Sequence, residues 1–365
     1  MDIAPAPTLQ EALDEIMQLD HSQFSQQNKI EFETLLDYCL KEIGEDTNKL
    51  LTTLFLRGLK KHVGPIGVNE HIYLKKYEVP QIKLFDLIIK YFPFVNLGQK
   101  IVNSLIVDAM FYTKKAVVID AGIGRGLQTI KLLEEINNRK DFKIEELTII
   151  GIEPFKEALE VAGKSIRKKS AEINFKVNFV DFNDFAQDIH VNDLKKHFPD
   201  LNADIFINSS LTLHHIQSTS QRNKFMAEMA SLKPKAFLLT EPNSNHLEKN
   251  FYKRFRNSYR HFLHIFQVID ELPISRKNKN AMKLFFGREI EDIIGKDDDS
   301  RFERHEPAVN WIQRFEKAGF KIKKHFPYPV INNNNSGIHL QHFDDGFLGF
   351  THGDETVLSI IYAYI

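Results

Sequence analysis

Cysteine is almost missing from this 365-residue chain. Cys39 stands alone, which excludes an intrachain disulfide and any zinc cluster built on thiolates, and suits a reducing compartment. Tryptophan also occurs once, and neither sign of charge is in excess, since 48 Lys and Arg face 49 Asp and Glu. That balance excludes a strongly basic protein held on nucleic acid mainly by phosphate contacts, so no direct nucleic-acid partner is expected. No apolar run approaches the roughly 20 residues of a membrane helix. The acidic start MDIAPAPTLQEALDEIMQLD lacks the basic and apolar stretches of a secretory signal. The expected location is the cytoplasm, without a membrane partner. Export as a bacterial effector stays open, because a short C-terminal signal would carry no recognisable pattern.

Phenylalanine is what the chain has in plenty, with 30 copies. Aromatic side chains bury large apolar areas, so these residues are assigned chiefly to a large core. At about 150 residues per domain, the length allows one large or two ordinary domains.

The first part, from Thr8 to about Met110, has helical texture. Thr8 is a candidate cap with Glu11 three residues on. Helical stretches follow at Lys29–Ile43, Asn48–Leu59 and Ile82–Met110, the last broken by Pro93, with a Gly- and Pro-containing loop at His62–Val68. From Lys114 the texture changes. AVVID (Ala116–Asp120), LTIIGIE (Leu147–Glu153), INFKVNFV (Ile173–Val180), ADIFINSS (Ala203–Ser210) and KAFLLTE (Lys235–Glu241) are apolar runs separated by helical patterns, the mark of βαβ units and a parallel sheet. A long helical stretch is predicted from His246 to about Lys296, then a helix at Trp311–Ala318, a strand at Phe320–Phe326, a polar turn at Asn332–Gly337 and a last strand at Glu355–Ile365. The expected architecture is an α-helical cap over 1–112 and an α/β domain over 113–365. That domain would hold a sheet of about seven strands, its last hairpin antiparallel, and a helical lid inserted at about 245–300.

The most informative stretch is VVIDAGIGRGLQTI, with Asp120, Gly122, Gly124 and Gly126. A strand that ends in an acid and runs into Gly-x-Gly-x-Gly turns tightly and lets a ligand approach the backbone. A dinucleotide fingerprint would place its third glycine one residue later. An acid before the first glycine repels phosphates and suits a cationic ligand. S-adenosylmethionine, with a sulfonium, an ammonium and no phosphate, fits that description; an ordinary tight turn is the plainer alternative. Glu153, at the second strand's end, can accept hydrogen bonds from both ribose hydroxyls. At the third strand's end Asp181 could take the adenine amino group while Phe182 packs on the ring. Asn208-Ser209-Ser210, then Leu213-His214-His215, stand where ligands meet the carboxyl ends of strands. Adjacent histidines cannot share a helix face, so one of the two is expected to be structural.

From Val117 to Glu241 the chain resembles a class I S-adenosylmethionine-dependent methyltransferase. Over nearly all of its length from about Tyr77 it resembles a GRAS-domain protein, the family known chiefly as plant transcriptional regulators, and a bacterial-type member in particular. The segments that carry this are YFPFVNLGQKIVNSLIVDAM, VVIDAGIGRGLQ, FINSSLTLHHI, TEPNSNHLEKNFYKRFRNSYRHFLHIFQVID, and RFERHEPAVNWIQRFEKAGF with Arg301, Glu303, Arg304, His305 and Glu306. The resemblance implies a Rossmann-like class I methyltransferase sheet. Plant members often lose the first glycines of the turn, whereas this chain keeps all three together with Glu153.

Cofactor binding is therefore expected at Asp120, Gly122, Gly124, Gly126, Glu153, Asp181, Phe182 and Asn208, with S-adenosylhomocysteine as the product. Methyl transfer mainly requires positioning, helped by a base where the acceptor is a hydroxyl, carboxyl or amine. Candidates are His214, Glu241, Asn243, His246, Arg254 and Tyr259. Arg254 shares a helix face with Phe251, Phe255 and Ser258, where it either clamps a substrate carboxylate or pairs with a structural acid. Arg301–Glu306 reads as an ion-pair knot tying the lid to the domain. His261-x-x-His264 and His339-x-x-His342 have one-turn spacing, but no acid motif accompanies them and no metal site is expected. The leading expectation is a methyltransferase for a small hydrophobic or carboxylate- or hydroxyl-bearing molecule. The alternatives are a non-catalytic GRAS-type regulator, pairing through its cap with a second copy or another protein, and a ligand sensor.

Overall fold

Apolar, β-branched runs ending at glycine form the parallel part of the sheet, as their texture predicts. The strands are β1 (Lys115–Ala121), β2 (Glu146–Ile152), β3 (Lys176–Phe182), β4 (Asp204–Ser210) and β5 (Ala236–Pro242). β1, β2, β4 and β5 are almost wholly buried, and their sequences run apolar without alternation, as strands covered on both faces do. The computed structural model describes residues 47–63, 87–198, 202–328 and 337–365. Cys39, the expected helices near Thr8 and at Lys29–Ile43, and most of the polar turn at Asn332–Gly337 lie outside the described residues.

The order β3-β2-β1-β4-β5 is the doubly wound arrangement, and it reverses between β1 and β4. Beyond β5 the sheet continues antiparallel through β9 (Glu355–Tyr364), β8 (Phe347–His352) and β7 (Ile338–Phe343), while the two-residue β6 (Lys321–Ile322) also pairs with β9. The sheet thus has nine strands rather than about seven. The strand expected at Phe320–Phe326 shrinks to two residues, and the β7–β8 hairpin is new. Gly349 hides β8 from a strand reading, yet it is required there, because a Cβ would lie 2.5 Å from the Phe343 ring.

Helices cover both faces. Val118 of β1 packs into one core with α1 (Thr47–Val63), α2 (Pro93–Ala109), α3 (Leu127–Asn138) and α4 (Lys156–Ser170). Its neighbours Val117 and Ile119 point to the other core, which holds α5 (Val191–Lys195) and α6 (Thr219–Ser231). Pro93 interrupts the helical stretch as expected: residues 87–91 are helical, Phe92 before the proline is extended, and α2 restarts at Pro93, whose missing N–H costs nothing in a first turn. α2 lies on β4, β5 and β9 and against α3, so the region expected as a cap reaches onto the sheet.

The stretch expected as one helix from His246 is two: α7 (Phe251–Glu271) and α8 (Arg276–Gly295). The break falls at Leu272-Pro273, since a residue before proline disfavours helical backbone. Asn250 and Ser275 then cap the two new N-termini with their side chains. α8 packs along α1 and α7, and α9 (Ala308–Lys317) places Trp311 and Phe315 in the second core. Nine phenylalanines are among the largest fully buried side chains, including Phe55, Phe206, Phe255 and Phe315. Among the described residues, no helix is long and apolar enough to cross a membrane.

Candidate functional site

A cavity of about 890 Å³ opens at the carboxyl ends of β1 and β4, where the strand order reverses. It runs from the glycine turn after β1 to the aromatic underside of the helical layer, with Phe92, Phe285 and Phe286 at that far end.

The three glycines of the turn serve three different purposes. Gly122 has φ +86°, and a Cβ there would sit 1.9 Å from Thr212 Oγ1, so a neighbouring side chain forbids any substituent although the glycine's backbone lines the cavity. Gly126 is tight against Ala162 of α4, at 3.1 Å from a would-be Cβ. Gly124, at φ +54°, has nothing within 4 Å of that position and lines the cavity. Of the three it alone has open space at the Cβ position, where a ligand can approach the backbone.

Glu153 also lines the cavity. Its Oε2 accepts the Gly124 N–H and its Oε1 the Phe155 N–H, both at 3.0 Å. Each oxygen keeps a lone pair for a further donor. Burial pushes this carboxyl above its ordinary range, partly offset by the two backbone donors. Asp120 is almost fully buried, with Thr129 Oγ1 donating to one oxygen at 2.6 Å and Asn208 Nδ2 to the other at 2.8 Å. Burial raises its pKa as well, against those two hydrogen bonds. Asn208 thus holds Asp120 and is not part of the cavity wall. Asp181 is exposed and Phe182 packs into the second core beside the His197 ring, so both stand outside the cavity lining. Strand alternation turns Phe182 to the far face of the sheet, and Phe185 and Gln187, just beyond β3, line the cavity instead.

A second cluster forms where the segment after β4 meets the segment after α8. His214 and His215 both line the cavity, contrary to the expectation for adjacent histidines. They sit on a single 3-10 turn rather than an α-helix, with ring centroids 4.0 Å apart. Glu241, fully buried at the end of β5, accepts the Thr212 and Leu213 N–H groups at 3.1 and 2.7 Å and pairs with His214 Nδ1. It therefore fixes the turn and the His214 ring from behind and is not part of the cavity wall. Glu303 Oε2 lies 3.3 Å from His214 Nε2 and 3.2 Å from His305 Nε2. Burial alone would discharge His214, but the two carboxylates outweigh it and hold its pKa up to about 10. In its charged form the ring would donate from Nδ1 to Glu241 and from Nε2 toward Glu303. His305 moves the other way, kept neutral by burial and by the His214 charge.

His246 is fully buried, with Nε2 2.9 Å from Ser244 Oγ and its ring 4.8 Å from that of His305; it stands behind the cavity wall. Arg254 lies over the Phe251 ring and donates to the Glu248 carbonyl at 2.9 Å, with Asp298 at 3.5 Å. It holds the lid together rather than clamping a cavity ligand. Asn243 is likewise engaged in the frame, accepting the Ala308 N–H. The expected knot at Arg301–Glu306 is present: Arg301 donates to the His246 carbonyl and Asp298, while Glu306 takes Arg222 and Arg314. Inside it stand two residues expected to be structural, His305, which lines the cavity, and Glu303, fully buried beside it. Their i, i+2 spacing in a segment that is neither helix nor strand was the available signal.

A model of the GRAS domain family matches residues 34–347. The chain is 25% identical over 312 residues to the DELLA protein RGL1 of Arabidopsis thaliana, which is 81% of this chain and 57% of that protein. It is also 25% identical over 312 residues to the Scarecrow-like transcription factor PAT1 of the same plant, 81% of this chain and 62% of that protein. The chain spans about half the length of the curated relatives it matches. Among solved structures, SCL7 of Oryza sativa superposes over 98% of this chain and 100% of that one, with a TM-score of 0.79 at 18% identity, which shows a shared fold.

Proposed function

The chain belongs to the GRAS domain family, and from that premise we propose that it is a GRAS-type regulatory protein whose cavity binds a nucleoside ligand of the S-adenosylmethionine kind. A regulatory role is what the name of one relative supports, the Scarecrow-like transcription factor PAT1. Ligand binding rests on one observation: Glu153, held by two backbone donors, stands beside the open face of Gly124 on the cavity floor.

The residues present fit such a ligand. Glu153 offers two acceptor oxygens for the vicinal ribose hydroxyls. Asp120 supplies an acid where a phosphate would be repelled and a cationic group accepted. Phe185 and Gln187 replace Asp181 and Phe182 as the side chains available to a base ring. Burial weakens water's competition for each of these contacts.

Methyl transfer is a second reading, on the bacterial pattern of the family and the class I methyltransferase fold. It is favoured by one observation, that the same cavity joins the glycine turn to His214, Glu289 and His305. Bound S-adenosylmethionine would supply an electrophilic methyl group. The chain's part would be to seat a small acceptor under Phe92, Phe285 and Phe286 and to exclude water.

Calorimetric titration of the full chain with S-adenosylmethionine and S-adenosylhomocysteine tests the proposal. Binding of both in the micromolar range is expected, lost in a Gly124→Asp variant that still unfolds cooperatively. No heat from the wild type, or equal binding by the variant, refutes the ligand reading. S-adenosylhomocysteine formation with candidate acceptors separates methyl transfer from binding alone.

A further inference from the structure

We propose that His214, Glu303 and His305 form a binding site for one divalent transition-metal ion, open toward the cavity. The residues come from two segments about 90 positions apart, and their ligand atoms all lie within 4.8 Å of one another. All three are buried, with Glu303 fully so.

Two of the three ligand-atom spacings are those of a coordination shell. Ligands bound at about 2.0–2.1 Å with tetrahedral angles lie about 3.3–3.4 Å apart. The Glu303 carboxylate oxygen is 3.3 Å from His214 Nε2 and 3.2 Å from His305 Nε2. Both Nε2 atoms are thus aimed at one oxygen. The other carboxylate oxygen, Glu303 Oε1, faces His215 Nδ1 at 3.6 Å, too far for a hydrogen bond, and has no hydrogen-bond partner among the described residues. A cation would satisfy that buried oxygen better than the distant imidazole does.

The surroundings favour a cation too. Glu241 holds the Nδ1 side of His214, the carboxylate–histidine arrangement that orients a ligating imidazole from its far side. Glu289, buried and lining the cavity, adds a third carboxylate nearby. Two imidazoles and one carboxylate suit zinc or iron(II) rather than the oxygen-only preference of calcium or magnesium. His214 and His305 line the cavity, so the ion would keep a free position on that side for an oxygen-bearing ligand. This inference does not depend on the nucleoside reading, because metal uptake is measured without any nucleoside.

The test uses the full chain freed of metal with a chelator, then titrated with Zn²⁺ by calorimetry and with Co²⁺ by visible absorption. One equivalent of each is expected, with Co²⁺ giving the intense bands of a low-coordinate site, and Zn²⁺ raising the unfolding temperature. Glu303→Gln and His305→Gln should each abolish the Co²⁺ bands. Glu241→Gln should weaken Zn²⁺ binding by about 10–100-fold. If one variant fails to unfold cooperatively, the other decides. A competing pair exists at His264 and His352, whose Nδ1 atoms are 2.9 Å apart beside Asp354. His264→Gln should leave binding unchanged. No Zn²⁺ or Co²⁺ binding by the wild type overturns the proposal, as does binding that survives Glu303→Gln and His305→Gln or disappears with His264→Gln.

Discussion

Asp120-x-Gly122-x-Gly124-x-Gly126 looks like a single device in the sequence, yet its glycines answer to different neighbours. At Gly122 both the left-handed backbone and Thr212 forbid a side chain; at Gly124 only the backbone does. Left-handed conformation costs a residue with a Cβ about 1–2 kcal/mol. Gly124→Ala should therefore destabilise the protein by about that amount, measured by urea unfolding. Gly122→Ala should cost more, because Thr212 must also move and its neighbour Leu213 is anchored through Glu241. Equal losses in the two variants would show that Thr212 yields freely. The acid and the glycines were legible in the sequence because a strand end and a turn are local. Which glycine faces open space was not, because that depends on Thr212 and Ala162, 90 and 36 positions away from Gly122 and Gly126.

Helical period placed α1, α2 and the lid in the sequence, and Pro273 marks where the lid divides into α7 and α8. What the period cannot show is how closely two helices approach. Gly287 of α8 faces Leu54 of α1, with a Cβ position 2.7 Å from a Leu54 methyl, and Gly58 of α1 faces Ile294 at 3.1 Å. These two glycines set the α1–α8 distance. Gly287→Leu should push the helices apart and cost about 1–3 kcal/mol, as overpacking does. Gly287→Ala should be near neutral. The Leu54 methyl is the end of a flexible side chain, and a gain in helix propensity of about 1 kcal/mol opposes the crowding. Urea midpoints of the two variants against wild type check the ordering. The β7–β8 hairpin shows the same limit: His339, Gln341 and Gly349 weaken its strand signal, while pairing with β9 supplies what the local sequence lacks.

Across the whole molecule, strands, lid and cavity are joined by buried charge, and stability should follow pH accordingly. Glu355 at the start of β9 pairs with Arg260 of α7 at 2.8 Å, and burial raises its pKa from 4.5 to about 7 against that pairing. The folded state therefore binds its proton more tightly than the unfolded state. Its contribution is fully present below about pH 4.5 and is lost as pH rises through about 7. Glu355→Gln should flatten the fall in urea midpoint between pH 5 and 8 relative to wild type; an unchanged slope would assign that fall to other groups. Residue order alone encodes the alternation of strands and helices, the acidic glycine turn, Glu153 at the second strand end and the motifs of the GRAS family. All of these are features of period, turn chemistry or local order, which neighbouring residues encode. Packing in three dimensions is what takes Asp181, Phe182 and Arg254 away from the cavity, and brings Glu303 and His305 to face His214 with Glu241 behind it. Such meetings depend on which face each strand turns inward and on how the lid segment closes over β4 and β5, and packing across about 90 residues of chain settles both.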